Sequence, residues 1–120
     1  MRSSRRSSSA KSPRWATVGD VAHDHGLSNE VLLAVIVEMA PSDVPAGLRY
    51  EDRVLGLLDR HGGCVERRLR TADSATEIHV IRFRSRAGLE SFMADADRAR
   101  LRDAVGDAAP TARVYEVRDL

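Results

Sequence analysis

Cysteine is almost absent from this chain of 120 residues, which contains only Cys64. A single thiol excludes an internal disulfide and a metal site built from several cysteines. Long apolar runs are also absent. The longest, Val31 to Val37, has seven residues, whereas a membrane-spanning helix needs about 20. No secretory apolar segment follows Arg5 and Arg6, which precede serines and Lys11. These absences favour a cytoplasmic location and exclude a membrane span.

Charge of one sign is concentrated in residues 1–15, which hold five basic side chains and no acidic one. Because the whole chain has a net charge of +1, the remainder carries −4. A mildly acidic domain gives no electrostatic basis for nucleic-acid binding. Residues 1–30 are predicted to be a disordered or weakly ordered basic extension. One alternative stays open: TVGDVAHDHGLSNE resembles part of a helix-turn-helix, so residues 1–30 are also compatible with a DNA-binding regulatory protein.

Residues 31–120 carry the periodicity of a folded domain. Val31 to Met39 is apolar on both faces, which is typical of a central strand. An apolar stripe with helical spacing follows, and two glycines end it. The predicted elements, in order, are a strand at 31–39, a helix at 48–61, strands at 64–70 and 76–84, helical segments after Ser85 and at 97–105, and a strand at 112–118.

This order is βαββαβ, and it predicts an α+β, ferredoxin-like domain. Right-handed crossovers place the strands in an antiparallel sheet of order 4-1-3-2, with the helices on one face. If the second and third strands pair around Asp73, Arg67 faces His79 and Val65 faces Ile81. Leu69 would then join the helix-covered face, and Arg68 would lie on the other.

The second sheet face is predicted to bear Ile78, Val80 and half of the first strand's apolar residues. A contiguous apolar patch of this kind is a liability on a free monomer. We therefore expect a homodimer whose two sheets close face to face, with a polar rim of Glu66, Arg68 and Arg82.

Four segments resemble the dimeric α/β-barrel superfamily: YEDRVLGLLDRHGG, CVERRLR, TEIHVIRFRSRAGLESFMAD and ARVYEVRDL. The similarity is to small uncharacterised bacterial members related to the antibiotic-biosynthesis monooxygenase-like and EthD-like families. It implies the fold and a dimer. It does not imply one reaction, because the superfamily hosts many activities.

The resemblance also argues against the best-known of these activities. Monooxygenase and haem-degrading relatives place a Trp at the end of the third strand, where this chain has Phe83. The haem-degrading members carry a ligand His near the position of Met93, and these enzymes use an Asn on the first strand. No Asn follows Asn29 and no Trp follows Trp15. We therefore expect no cofactor.

His79 is the leading candidate for acid–base chemistry, because a buried imidazole can be tuned for proton transfer. A structural, hydrogen-bonded histidine is the competing interpretation. The predicted ligand pocket lies between the sheet and the helices, and its candidate lining residues are Tyr50, Arg67, His79, Phe83 and Phe92.

Other polar residues favour structural roles. His61 suits the C-terminal end of a helix, and Cys64 has no evident partner that stabilises a thiolate. Glu66, Arg68 and Arg82 form either a solvated rim, an intersubunit cluster or a carboxylate-binding site. His23 and His25 have no third ligand, so no metal site is predicted.

The sequence therefore predicts a homodimeric domain that binds a small, partly apolar organic molecule. A monooxygenase-like or isomerase-like enzyme using His79 as acid or base is the alternative of another class. The reaction and the ligand are not specified by these residues.

Overall fold

The computed structural model describes residues 30–120, and the fold is a four-stranded antiparallel sheet with helices on one face. The strands are β1 (Val31–Glu38), β2 (Gly63–Arg70), β3 (Thr76–Phe83) and β4 (Thr111–Val117). The helices are α1 (Val44–Leu55), α2 (Arg86–Met93) and α3 (Ala96–Val105), and a 3₁₀ turn spans Leu58–His61. The proposed helix-turn-helix and the pair His23 and His25 lie outside the described residues.

The sheet order is β2-β3-β1-β4, which confirms the predicted 4-1-3-2 topology. β1 lies in the centre because its apolar residues can be covered from both sides. Val31, Leu33, Val35 and Val37 point towards the helices and are buried. β4 forms one edge, and all seven of its residues are exposed.

α1 begins earlier and ends earlier than the predicted helix at 48–61. The Asp43 side chain accepts a hydrogen bond from the Ala46 amide at 3.1 Å and caps the helix. Pro45 lies in the first turn, where a missing amide proton is tolerated. Pro45 therefore belongs to α1 and not to the end of β1. The helix stops at Leu55, and Gly62, with φ of +72°, closes the 3₁₀ turn.

A β-bulge interrupts the pairing of β2 with β3. Val65 faces Ile81 as predicted, but beyond the bulge Arg67 faces Val80 and Arg68 faces His79. One additional residue on a strand reverses which side chains reach each face of the sheet. The prediction that Arg67 faces His79 is wrong, and so are the faces predicted for Arg68 and Leu69.

The helices α2 and α3 complete the layer over the sheet. The Ser85 hydroxyl accepts a hydrogen bond from the Gly88 amide at 3.0 Å and caps α2, the helical segment that was predicted to follow Ser85. Asp95 caps α3 in the same way through the amides of Asp97 and Arg98. The core lies between this layer and the inner face of β1 and β3. None of the helices in the described part is long and apolar enough to cross a membrane.

Candidate functional site

A cavity of about 470 Å³ lies between the inner face of the sheet and the three helices. Met93 and Val114, which are 53% and 55% exposed, line it, so the cavity opens towards the β4 edge. Four of the five predicted ligand-binding residues line its wall, namely Tyr50, His79, Phe83 and Phe92. The fifth, Arg67, is exposed on the opposite sheet face, because the bulge reverses the alternation of β2.

Most of the cavity wall is aliphatic or aromatic. The strands contribute branched side chains that stand perpendicular to the sheet, and the helices contribute the side chains of their buried stripes. The apolar lining residues are Leu33, Val35, Val37, Tyr50, Val54, Leu55, Ile81, Phe83, Leu89, Phe92, Met93, Pro110, Ala112 and Val114.

Five charged or titratable side chains interrupt this apolar wall: Glu51, His79, Glu90, Arg98 and Arg102. Of these, only His79 was predicted. A helical signal for Glu51 does exist, since it precedes Val54 and Leu58 by three and seven residues and so shares their face. No local sequence pattern predicts that α3 packs over the same cavity.

Glu77 holds His79 in place from the same strand. Its carboxylate is fully buried, and its Oε1 lies 2.7 Å from His79 Nε2. Arg68 Nε donates to Oε1 at 2.9 Å, and Arg70 Nε donates to Oε2 at 2.7 Å. Burial opposes ionisation of Glu77, but hydrogen bonds from Arg68, His79 and Arg70 outweigh it and lower its pKa to about 2.

Because Glu77 is ionised, its Oε1 accepts a hydrogen bond from the Nε2–H of His79. Burial lowers the pKa of His79, and the bond to Glu77 offsets this only in part. The neutral imidazole is therefore the stable form near pH 7, with the unprotonated Nδ1 on the other side of the ring. That nitrogen lies 4.0 Å from Oε1 of Glu51, beyond hydrogen-bond distance.

Glu51 is a buried carboxyl group in the cavity wall. It is 7% exposed, and its carboxylate has no hydrogen bond to any residue from 30 to 120. Burial, followed by the nearby charge of Glu77, raises its pKa to about 7. Glu51 and His79 thus pair a carboxyl group that titrates near neutrality with a neutral imidazole, which is a suitable arrangement for proton transfer.

The predicted cluster of Glu66, Arg68 and Arg82 is divided between the two faces. Arg82 pairs with Glu66 at 2.6 Å and with Glu30 at 3.2 Å on the outer face. Arg68 instead bridges Glu77 and Asp52 on the helix side. This correction follows from the same bulge in β2.

His61 and Cys64, the two remaining polar residues considered in the sequence, lie in surroundings that favour structural roles. His61 Nδ1 lies 2.5 Å from Ser91 Oγ, and its Nε2 lies 2.6 Å from Asp95 Oδ2, so it ties the 3₁₀ turn to α2 and to the cap of α3. Burial and the charge of Glu66 raise the pKa of Cys64 to about 11, which keeps the thiol protonated. Within residues 30–120, no three His, Cys, Asp or Glu side chains are grouped to hold a metal ion.

Comparison with known proteins identifies solved structures that share this fold. Rv0793 from Mycobacterium tuberculosis is 19% identical, with a TM-score of 0.57 over 75% of this chain and 97% of its own. A candidate antibiotic biosynthesis monooxygenase from Nitrosomonas europaea is 14% identical, with a TM-score of 0.58 over 75% of this chain and 91% of its own. An amidase of the hydantoinase/carbamoylase family from Burkholderia multivorans matches over 73% of this chain but 27% of its own length, with a TM-score of 0.52 and 16% identity.

No family model and no curated protein matches the sequence. The structural matches confirm the class of fold: the chain is a ferredoxin-like α+β domain with the architecture of the antibiotic-biosynthesis monooxygenase-like proteins. At these identities the likeness is one of fold alone, and a fold does not specify a reaction.

Proposed function

We propose that this protein binds a small, partly apolar organic molecule in the cavity between its sheet and helices. The observation that carries the proposal is the cavity of about 470 Å³, whose wall is mostly aliphatic and aromatic with a few polar groups. Ligand sites of proteins have this composition and volumes of roughly 300–1,000 Å³.

Binding of the neutral fluorescent compound N-phenyl-1-naphthylamine tests this proposal. The native protein is expected to bind it, and Val114→Trp is expected to block binding because the indole fills the mouth of the cavity. Ala87→Trp adds the same side chain at an exposed position of α2 outside the cavity and is the control. Equal binding by the two variants would place the probe elsewhere and overturn the proposal.

The alternative is an acid–base enzyme of the isomerase-like kind, favoured by the proximity of His79 Nδ1 and the Glu51 carboxyl at 4.0 Å. Such a pair can remove a proton from a carbon acid and return it at another atom of the same substrate. The monooxygenase-like variant has less support, because Phe83 ends β3 and its ring cannot donate a hydrogen bond.

A generic carbon acid, 5-nitrobenzisoxazole, tests this alternative, because removal of its ring proton opens the ring to a coloured phenolate. The native protein is expected to accelerate this reaction, and His79→Gln to lower the rate at least roughly tenfold. A rate equal to that of buffer, or one unchanged in His79→Gln, would reject the role of His79.

We also infer that the outer sheet face pairs with a second copy of the chain. This face exposes Leu69, Ile78, Tyr115 and Val117, each between 38% and 49% accessible. Exposed apolar side chains contiguous on one sheet face are typical of a subunit interface. Arg82 and Glu66 border the patch and supply its polar rim.

A further inference from the structure

Helix α3 presents two arginines to the cavity, and neither has a carboxylate partner in residues 30–120. Arg98 and Arg102 are four residues apart, so they lie on the same face of the helix. The guanidinium carbon of Arg98 lies 5.3 Å from the centre of the Phe92 ring. Its Nη1 donates to the Met93 carbonyl at 3.4 Å, and its Nε is buried without a partner.

Three arginines of the sheet are instead paired with carboxylates. Arg68 and Arg70 bind Glu77, and Arg82 binds Glu66. The α3 arginines share the cavity with Glu51, close enough for both to stabilise its charge, but neither forms an ion pair with it. A buried donor without a partner costs free energy, which an arriving acceptor would recover.

We propose that the ligand is an organic anion with an apolar body, that its charged group binds Arg98 and Arg102, and that Glu51 takes up one proton when it binds. This inference rests on the proposed function, since it places the ligand in the same cavity. A planar carboxylate or a sulfonate offers the acceptors that two guanidinium groups require. The body of the ligand would pack on Phe92, Phe83 and the aliphatic wall.

The proton uptake follows from charge balance in a poorly solvated space. An anion beside ionised Glu51 would place two like charges in the cavity, which favours the protonated carboxyl. One proton from solvent binds a Glu51 oxygen as one negative charge enters, so the net charge of the site is unchanged. The charged or titratable groups that face Glu51 or share its cavity are Arg68 on β2, Glu77 and His79 on β3, Glu90 on α2, and Arg98 and Arg102 on α3.

Two probes share an apolar body and differ in charge: 1-anilinonaphthalene-8-sulfonate and the uncharged N-phenyl-1-naphthylamine. Comparing them distinguishes the contribution of the anionic group to binding from that of the apolar body. The native protein is expected to bind the sulfonate more weakly as pH rises above about 7, by up to about tenfold per pH unit, because binding requires one proton. Affinity for the neutral probe should stay constant over the same range.

Substitutions identify which side chains bind the sulfonate and which one takes up the proton. Arg98→Gln and Arg102→Gln are each expected to weaken sulfonate binding at least about tenfold more than they weaken binding of the neutral probe. Glu51→Gln mimics the protonated carboxyl, so sulfonate affinity should become independent of pH. Arg100→Gln is the matched control, because that arginine lies on α3 outside the cavity and pairs with Asp97.

Calorimetry of the native protein measures the number of protons taken up on binding, without any substitution. Titrations of the sulfonate at about pH 8 in two buffers with different ionisation enthalpies should report uptake of close to one proton. Uptake near zero, or sulfonate affinity unchanged by Arg98→Gln and Arg102→Gln, overturns the inference. If the neutral probe binds and Val114→Trp blocks it, the proposed function stands on its own. If neither probe enters the cavity, both the proposed function and this inference fail.

Discussion

His79 and Arg68 lie directly opposite each other on β3 and β2, and both hydrogen-bond the buried carboxylate of Glu77. The bulge in β2 creates this pairing, because without it Arg67 would occupy the position of Arg68. Arg68 also reaches Asp52 on α1 at 2.8 Å, so the network joins the sheet to the helix that carries Glu51. A distortion of an edge strand thereby places Arg68 against the carboxylate that hydrogen-bonds His79.

The first prediction concerns the strength of this network. Glu77→Gln is expected to destabilise the fold by about 3 kcal/mol, because it leaves Arg68 and Arg70 without their buried counter-charge. Urea unfolding at neutral pH measures the loss. Glu38→Gln is the control, since Glu38 is exposed and pairs only with Arg113 at 3.6 Å within the described residues, and such pairs contribute less than about 1 kcal/mol. Equal losses of stability in the two variants would contradict a stabilising role for the hydrogen-bond network around Glu77.

The second prediction concerns the dependence of stability on pH. The pKa of Glu51 is raised from 4.5 to about 7 on folding, so the folded state holds more protons than the unfolded state between these values. The contribution of Glu51 to stability therefore falls as pH rises from 4.5 to about 7. Glu51→Gln should remove this loss, so the variant becomes progressively more stable than the native protein across that range, by about 3 kcal/mol at its upper end.

Urea unfolding at several pH values checks this difference, with Glu90→Gln, at an exposed position on α2, as the matched carboxylate control. A stability difference between Glu51→Gln and the native protein that stays flat from pH 4.5 to 7 would show that Glu51 is solvated in the folded state.

The third prediction concerns association through the outer sheet face. The chain mass is 13.2 kDa, and sedimentation velocity at micromolar concentration should give about twice that value. Ile78→Glu places a charge in the middle of the exposed apolar patch and is expected to yield folded monomers. Ala87→Glu, on the helix side, should leave the dimer intact. A native mass near that of one chain would rule out the pairing.

The fourth prediction concerns the thiol of Cys64. Because burial raises its pKa to about 11, the thiolate needed for alkylation is scarce at pH 8. Iodoacetamide should modify the folded protein at least about tenfold more slowly than the same protein in urea. Similar rates in the two conditions would mean that the thiol is neither buried nor disfavoured as an anion.

Much of the cavity could be predicted from local patterns. The alternation of β3 buries His79, Ile81 and Phe83 on one face, and the helical spacing around Tyr50 directs that side chain inwards. Glu51 was missed although it shares a helix face with Val54, because a carboxyl at the margin of an apolar stripe is usually solvated. Arg67 was misplaced because strict alternation was assumed for β2.

The sequence by itself determined the order of strands and helices, the topology of the sheet and which face of β3 the helices cover. These features follow from periodicity and chain connectivity, which are local properties of the chain. Only the tertiary structure decided that Arg68 rather than Arg67 reaches Glu77, and that Glu51, Arg98 and Arg102 share one cavity. Strand register and helix docking depend on contacts between residues far apart in the chain, and no local pattern encodes them.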